Sequence, residues 1–392
     1  MPAPSRRHFL AALGGAAIAA RPVFAAGRWP LDSAAPEGER GVGLPADAEQ
    51  PAAAPVLLNY NESAWGPSPR ALSAIRTAPP ALATRYFAED TYDSLRDALA
   101  AHHGVTRAHI RMGAGSTEIL KACDDLFLRG GGSVVVAEPT FEAVLQYAAN
   151  YSGSAVRVPL TGDHRHDLDA MATRVTADTG FVYICNPNNP TGTIVSGDAV
   201  RRFLDRIPAR VPVVFDEAYA EFVADRTFES AVALIKESRN AGRDIVVAKT
   251  FSKIHGLAGM RVGYAIARPE VIARLVPLTV DYAVTGHAAG AAKASLADRA
   301  HLGVVGAQVA ARRAECTAWL RERGFECTDS QANFVMINLR RPVAPVIDAF
   351  ATRGVLVGRV FAAMPNFLRV TMGTAAEMRR FYAAAEFALR PT

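Results

Sequence analysis

The strongest constraint on this 392-residue chain is a set of four short apolar runs, at 133–137, 181–185, 211–215 and 245–248. They are rich in Val and Ile and nearly free of polar residues, so they read as strands buried on both faces. Helical patterns lie among and beyond them, at 94–103, 116–128 and 315–323, with Gly104 and Gly324 stopping the first and the last. Continuous apolar strands alternating with helices specify an α/β fold whose sheet is largely parallel and covered on both sides. The length exceeds one small core and suits two domains sharing an interface. Ligands of such sheets sit beyond the C-terminal ends of the strands.

What stands at those ends is chemically specific. Run 181–185 delivers the loop Asn186-Pro187-Asn188-Asn189-Pro190-Thr191-Gly192. Run 211–215 delivers Asp216, Glu217, Ala218 and Tyr219, and run 245–248 delivers Lys249, Thr250, Phe251, Ser252 and Lys253. A single strand-end acid or lysine is usually a solvated surface residue. An amide loop, an acid–phenol pair and a lysine on one edge make a site. The stiff loop makes Asn189–Pro190 a candidate cis bond. Residues 113–117 read as a strand entering a helix through glycines, where free backbone N–H groups can meet an anion.

These motifs, in their order from residue 56 to the C-terminus, resemble the fold-type I pyridoxal-phosphate-dependent aminotransferases of classes I and II, and among them the histidinol-phosphate aminotransferase group. The resemblance rests on Asn59-Tyr60-Asn61-Glu62, on Gly113 to Glu118, on Pro139-Thr140-Phe141 and on the Asn-Pro-Thr-Gly loop. It rests further on Asp216 to Tyr219, on Lys253 followed eight residues later by Arg261, and on Leu368-Arg369-Val370. It implies a large domain, 81–290, around a mostly parallel seven-stranded-type sheet. A smaller α+β domain would come from an N-terminal arm, 56–80, and the C-terminal part, 291–392.

The resemblance also implies pyridoxal 5'-phosphate as cofactor. The reaction would move an amino group from an amino acid, or an amine such as histidinol phosphate, to a 2-oxo acid. Lys253 would hold the cofactor's aldehyde as a Schiff base and move protons. Asp216 would pair with the pyridine nitrogen and keep the ring an electron sink. Tyr219 and Asn189 would bond the ring's 3′ oxygen, and Phe141 would stack on its face. Gly115, Ser116, Thr117, Thr250, Ser252 and Arg261 would hold the phosphate. Tyr86 would reach the phosphate bound by a second subunit, which makes the enzyme a homodimer. Arg369 would take the substrate's anionic group, Arg359 would add a second positive charge, and Asn61 and Glu62 would line the substrate mouth. No metal belongs to this set. The same scaffold hosts amino-acid decarboxylases and racemases, which the sequence leaves open. A non-catalytic cofactor-binding protein is a remoter alternative, against which the intact Lys253, Asp216, Tyr219 and Arg261 argue.

Composition excludes several other classes. Half of the residues are hydrophobic and 21% are charged, a globular balance. The four cysteines form no CxxC pair and no disulfide framework. Three of the five net positive charges are Arg6, Arg7 and Arg21 in the first 26 residues, and no basic stripe interleaved with aromatics is present, so no nucleic-acid partner is expected.

The N-terminus is a separate matter. Ser5-Arg6-Arg7-His8-Phe9-Leu10 precedes a weakly apolar Ala/Gly run and the small residues Ala25 and Ala26. This is the pattern of a secretory signal over 1–26, and its paired arginines resemble the twin-arginine (Tat) type. The Ala/Pro/Gly-rich stretch 27–55 reads as a flexible linker. The expectation is a folded enzyme exported to the periplasm by the Tat machinery, with no stable membrane span once the signal is removed; a cytoplasmic location is the alternative. Export sits poorly with the biosynthetic substrate of the histidinol-phosphate group.

Overall fold

The apolar runs become neighbouring strands of one seven-stranded sheet. The computed structural model describes residues 54–85, 91–151 and 153–390, and twelve strands lie among them. In chain order they are β1 (Val56–Leu58), β2 (Ile110–Ala114), β3 (Ser133–Glu138), β4 (Ser154–Pro159), β5 (Thr179–Cys185) and β6 (Val213–Asp216). The others are β7 (Ile245–Thr250), β8 (Val262–Ala267), β9 (Glu326–Cys327), β10 (Phe334–Asn338), β11 (Val355–Val357) and β12 (Phe367–Thr371). The large sheet has the order β2-β8-β7-β6-β5-β3-β4, and β8 runs against both of its neighbours. Strand residues alternate between two cores. Val135, Val182, Phe215 and Val247 face one, while Val134, Val136, Tyr183, Val214 and Val246 face the other. Both faces are therefore dry, as the unbroken apolar runs require.

Two element boundaries differ from the sequence reading. The strand expected at 211–215 starts at Val213, because Pro212 has no N–H to give the ladder. Its carbonyl still accepts from the Val182 amide at 3.0 Å. The helical pattern at 315–323 is the tail of the 24-residue helix Arg299–Glu322, whose earlier turns hold Gly303, Gly306 and several alanines that blur the apolar period. Gly104 and Gly324 do follow helix ends, with φ of 61° and 79°.

Register builds the site. Cys185 pairs with Asp216, and Asp216 with Ala248, so β5, β6 and β7 end level. Gly263 on β8 pairs with Gly113 on β2. A Cβ at Gly263 would overlap the Ser116 amide, so its absence lets the turn into the helix Ser116–Leu128 lie directly on β8.

A smaller α+β assembly comes from both ends of the described chain. β1 pairs with β11 in parallel, and β12-β10-β9 form an antiparallel sheet. The helices Arg299–Glu322, Ala344–Ala351 and Ala375–Ala388 accompany it, and Thr374 with Glu377 forms a capping box on the last. Its core of Val56, Val335, Phe350, Leu368 and Phe381 also takes in Ala218 and Tyr219, which follow β6. Among the described residues no helix is long and apolar enough to cross a membrane. The expected signal, nearly all of the linker and Tyr86 lie outside the described residues.

Candidate active site

The level ends of β5, β6 and β7 open onto a cavity of about 580 Å3. Its lining includes Lys253, Asp216, Tyr219, Asn189, Arg261, Thr250, Ser252, Ser116, Thr117, Phe141, Asn61, Glu62, Arg359 and Arg369. Gly115 adjoins it through Arg261. The structure thus brings together every described residue that the sequence analysis singled out for the site.

One end of the cavity is built for an anion. Gly115, at φ 80°, precedes the helix that starts at Ser116, so free backbone N–H groups and two hydroxyls open on the cavity. The Arg261 guanidinium lies so near Gly115 that any Cβ there would overlap it. Arg261 is itself left-handed (φ 54°), a conformation that costs an arginine of the order of 1 kcal/mol. It donates to the Ala258 carbonyl at 2.9 Å and reaches Ser252 Oγ at 3.4 Å. Thr250 Oγ1 donates to Ser252 Oγ at 2.9 Å. Glu118, in the first turn of the helix, is turned away: its carboxylate accepts from the amides of Ala114 and Val280.

The middle of the cavity holds acid and base. Asp216 Oδ2 accepts from the Tyr183 hydroxyl at 2.9 Å, and Oδ1 accepts from the Ala218 amide at 3.1 Å. Burial pushes the Asp216 carboxyl up to about 6, against the pull of the Tyr183 bond, the Ala218 amide and Lys253. Lys253 Nζ donates to the Tyr60 carbonyl at 3.2 Å and lies 5.5 Å from the centre of the Tyr219 ring. Burial, reinforced by the Arg369 charge, pulls its amine down to about 8. Tyr219 is pushed up by burial, so its phenol keeps its proton. That phenol accepts from Asn61 Nδ2 at 3.0 Å, which leaves its own hydrogen for another acceptor. Asn61 is left-handed (φ 55°) and tied to Thr371 through both its amide N–H and its side-chain oxygen.

The remaining wall is cationic and aromatic. Arg369 donates to Asn189 Oδ1 at 2.7 Å and to the Asn59 carbonyl at 2.8 Å, while its buried Nε has no partner among the described residues. Burial lowers it to about 10, so it stays charged at neutral pH. It lies 5.1 Å from the Phe361 ring centre and 5.5 Å from that of Phe334. Arg359 sits over the same Phe361 at 4.4 Å, but its guanidinium is ion-paired with Glu142. The Asn189 loop is fixed from behind by Asn188, which bonds Thr140, His166, Thr191 and the Pro139 carbonyl. Asn189–Pro190 is cis, as are Glu138–Pro139 and Asn186–Pro187.

Sequence reasoning gave no role to Tyr183, Asn188, Glu142, Phe361 or Glu118, although Asn188 and Glu118 stand within the motifs it singled out. For Tyr183 there was a signal. A phenol within an apolar run buried on both faces must find a partner for its hydroxyl. Glu142 meets Arg359 from a distant part of the chain and leaves no local mark, whereas Glu118, Asn188 and Phe361 each have a partner within four residues, Ala114, Thr191 and Arg359.

Comparison with known proteins agrees with this geometry. Residues 54–384 match the family model described as aminotransferase class I and II. The chain is 39% identical over 335 residues to a histidinol-phosphate aminotransferase from Symbiobacterium thermophilum, covering 85% of this chain and 90% of that protein. It is 37% identical over 324 residues to an aromatic amino acid aminotransferase from Mycobacterium avium, covering 82% and 88%. The crystal structure of histidinol-phosphate aminotransferase from Sinorhizobium meliloti in complex with pyridoxal-5'-phosphate superposes with a TM-score of 0.78 at 27% identity, covering 86% and 91%. A cavity with this arrangement of lysine, acid, phenol and arginines, matched over most of the chain at this level of identity, settles the family: the protein belongs to the class I and II aminotransferases.

Proposed function

We propose that the protein is a pyridoxal 5'-phosphate-dependent aminotransferase that moves an amino group from an amino acid, or an amine such as histidinol phosphate, to a 2-oxo acid. The observation that carries this reading is the convergence of Lys253, Asp216, Tyr219, Asn189, Arg261 and Arg369 on one cavity. The residues fit the cofactor. An anion cup from which any Cβ at Gly115 is excluded lies in the same cavity as a buried acid and an amine, and a buried guanidinium N–H lacks a partner among the described residues. Ser116, Thr117, Thr250, Ser252 and Arg261 would hold the phosphate. Asp216 would hold the ring nitrogen, Tyr219 and Asn189 the ring oxygen, and Phe141 a ring face; Lys253 would bind the aldehyde carbon. When bound, the cofactor supplies an electron-withdrawing ring that stabilises negative charge on the substrate carbon bearing the amine.

The chain's own residues do the rest. The Lys253 amine, near 8, can take a proton from the substrate's α-carbon and return one at close to neutral pH. Arg369 presents a fork to a carboxylate, and its Nε supplies a donor that none of the described residues uses. The Phe361 and Phe334 rings beside it keep that anion site dry and strengthen the pairing. Arg359 reaches a second anionic group only when Glu142 releases it.

Two finer points belong to the same reading. Residues 1–26 direct Tat export, which fits a protein folded around its cofactor before it crosses. Replacing Arg6 and Arg7 with Lys in a fusion of that segment to a folded reporter abolishes export, and undiminished export would refute it. The enzyme is a homodimer in which Tyr86 reaches the neighbouring phosphate. Light scattering should give twice the chain mass, and Tyr86→Phe should loosen cofactor binding.

The decisive experiment is an absorbance spectrum of the purified protein with cofactor, before and after a panel of amino donors that includes histidinol phosphate and aromatic amino acids. Conversion of the cofactor band by one donor, with the matching oxo product, names the donor. A bound cofactor that no donor converts would move the reading to decarboxylation or racemisation.

A further inference from the structure

Asp216 is met from three directions. On β5, one strand over in the parallel sheet, Tyr183 and Cys185 point to its face, and Cys185 is its register partner. From its own segment come Glu217, turned to the rear of the edge, and Tyr219. From beyond β7 comes Lys253. Of these, Tyr183 makes the closest bond, 2.9 Å from its hydroxyl to Asp216 Oδ2. The Tyr183 ring is wholly buried among Val134, Val136, Phe181 and Val214 and cannot swing. A phenol in such surroundings holds its proton firmly, so it serves Asp216 only as a donor.

We propose that Tyr183 is a positioning residue for Asp216: its hydroxyl fixes one carboxylate oxygen while the Ala218 amide fixes the other, leaving the carboxylate ionised and its remaining lone pairs free for the ring nitrogen of the cofactor. This rests on the cofactor reading above. The geometry gives the reason. A buried carboxylate with no fixed donors rotates and takes up a proton, and a protonated Asp216 no longer favours a charged ring nitrogen. Two donors from rigid backbone and a locked ring prevent both.

The test is Tyr183→Phe in the full chain, which keeps the ring and removes only the oxygen. Loss of a hydrogen bond to a charged group shifts an equilibrium by about ten- to a hundredfold. Amino transfer should show this in kcat, with KM for the amino donor within about twofold, because the substrate contacts are untouched. The second readout needs no cofactor. In the cofactor-free protein Asp216 is raised to about 6, so its contribution to stability is present at low pH and is lost as pH rises through about 6. Tyr183→Phe should move that loss to higher pH. A purely packing defect would lower the melting temperature equally at every pH.

A variant with kcat within twofold of wild type and an unmoved melting profile would overturn the proposal. If Tyr183→Phe is insoluble, the Asp216→Asn/Tyr183→Phe double variant decides. Recovered solubility traces the damage to the unpaired carboxylate and supports the proposal, whereas continued insolubility assigns the phenol to packing and overturns it. Should the wild type bind no cofactor, the cofactor reading fails by itself, while the melting profile still reports on the Tyr183–Asp216 couple.

Discussion

Asp216 and Glu217 are adjacent in sequence and equally buried, yet they meet opposite surroundings. Glu217 faces the rear of the sheet edge, where it accepts from Lys249 Nζ at 3.0 Å, Ser230 Oγ at 2.7 Å and the Ala231 amide at 2.6 Å. Lys249 reaches Glu221 at 3.0 Å as well. Burial works against that ammonium, but the Glu221 and Glu217 carboxylates outweigh it and hold it above the usual lysine range. Asp216 faces the cavity, where its carboxyl is pushed up to about 6 and the nearest lysine, Lys253, is pulled down to about 8. Charge at the rear is matched within the chain, while charge at the front is left short of partners. Matched charge holds the edge together, and unmatched charge is available to a ligand.

The largest effects should divide along this line. Lys253→Ala should lower amino transfer at least about a thousandfold, since the proton carrier is gone. Its melting temperature should hardly change, because among the described residues the amine's one hydrogen bond is to the Tyr60 carbonyl. Lys249→Met should do the reverse. It leaves Glu217 and Glu221 without their counter-ion and should cost about 3–5 kcal/mol of stability, read by denaturant unfolding. Activity per folded molecule should stay within a few-fold. Wild-type stability in Lys249→Met would show that the rear cluster is not what ties β6 to β7.

Next in size is Arg369→Gln, which removes a charged fork from a dry site and should raise KM for carboxylate donors by about ten- to a hundredfold. The same substitution bears on pH dependence. The Lys253 value lies below the ordinary lysine value of 10.5, so the neutral amine prevails only above about 8. Cofactor capture by the cofactor-free protein should therefore speed up by about tenfold per pH unit below that point and level off above it. Arg369 is one cause of the lowering, so Arg369→Gln should move the break to higher pH in stopped-flow absorbance. An unmoved break would mean that burial alone sets it.

How much of this was legible depended on distance along the chain. The strands β3, β5, β6 and β7 and the helix Ser116–Leu128 could be read because burial on two faces and a glycine turn leave local patterns. Asp216 and Lys253 could be read because each lies within a few residues of a strand end, and Arg261 because the resemblance places an arginine eight residues after Lys253. Tyr183 was visible only as an oddity in an apolar run, since its purpose depends on the register of β5 against β6. The bond from Asn61 to Tyr219 spans 158 positions and has no sequence signature. The start of β6 slipped by two residues because Pro212 looks apolar yet cannot donate to a ladder.

The smallest effect lies at the cavity mouth, where matched and available charge meet in one residue. Arg359 sits beside the buried Arg369 across Phe361, and its partner Glu142 is drawn from the far wall. Both members of the pair are partly exposed, so water screens it and it is worth about 0.2–1 kcal/mol, up to about fivefold in an equilibrium. A donor with one carboxylate and an aromatic side chain can use Arg369 and leave the pair intact. A donor whose anionic group is a doubly charged phosphate gains a second positive charge beside Arg369 only by drawing Arg359 away from Glu142, and it then faces that carboxylate. Glu142→Gln should therefore raise kcat/KM for the phosphorylated donor by up to about fivefold relative to the aromatic one. The gain should shrink as salt shortens the screening length. An unchanged ratio between the two donors would place Arg359 beyond the reach of the substrate, and the cavity would then select on Arg369 and its aromatic walls alone.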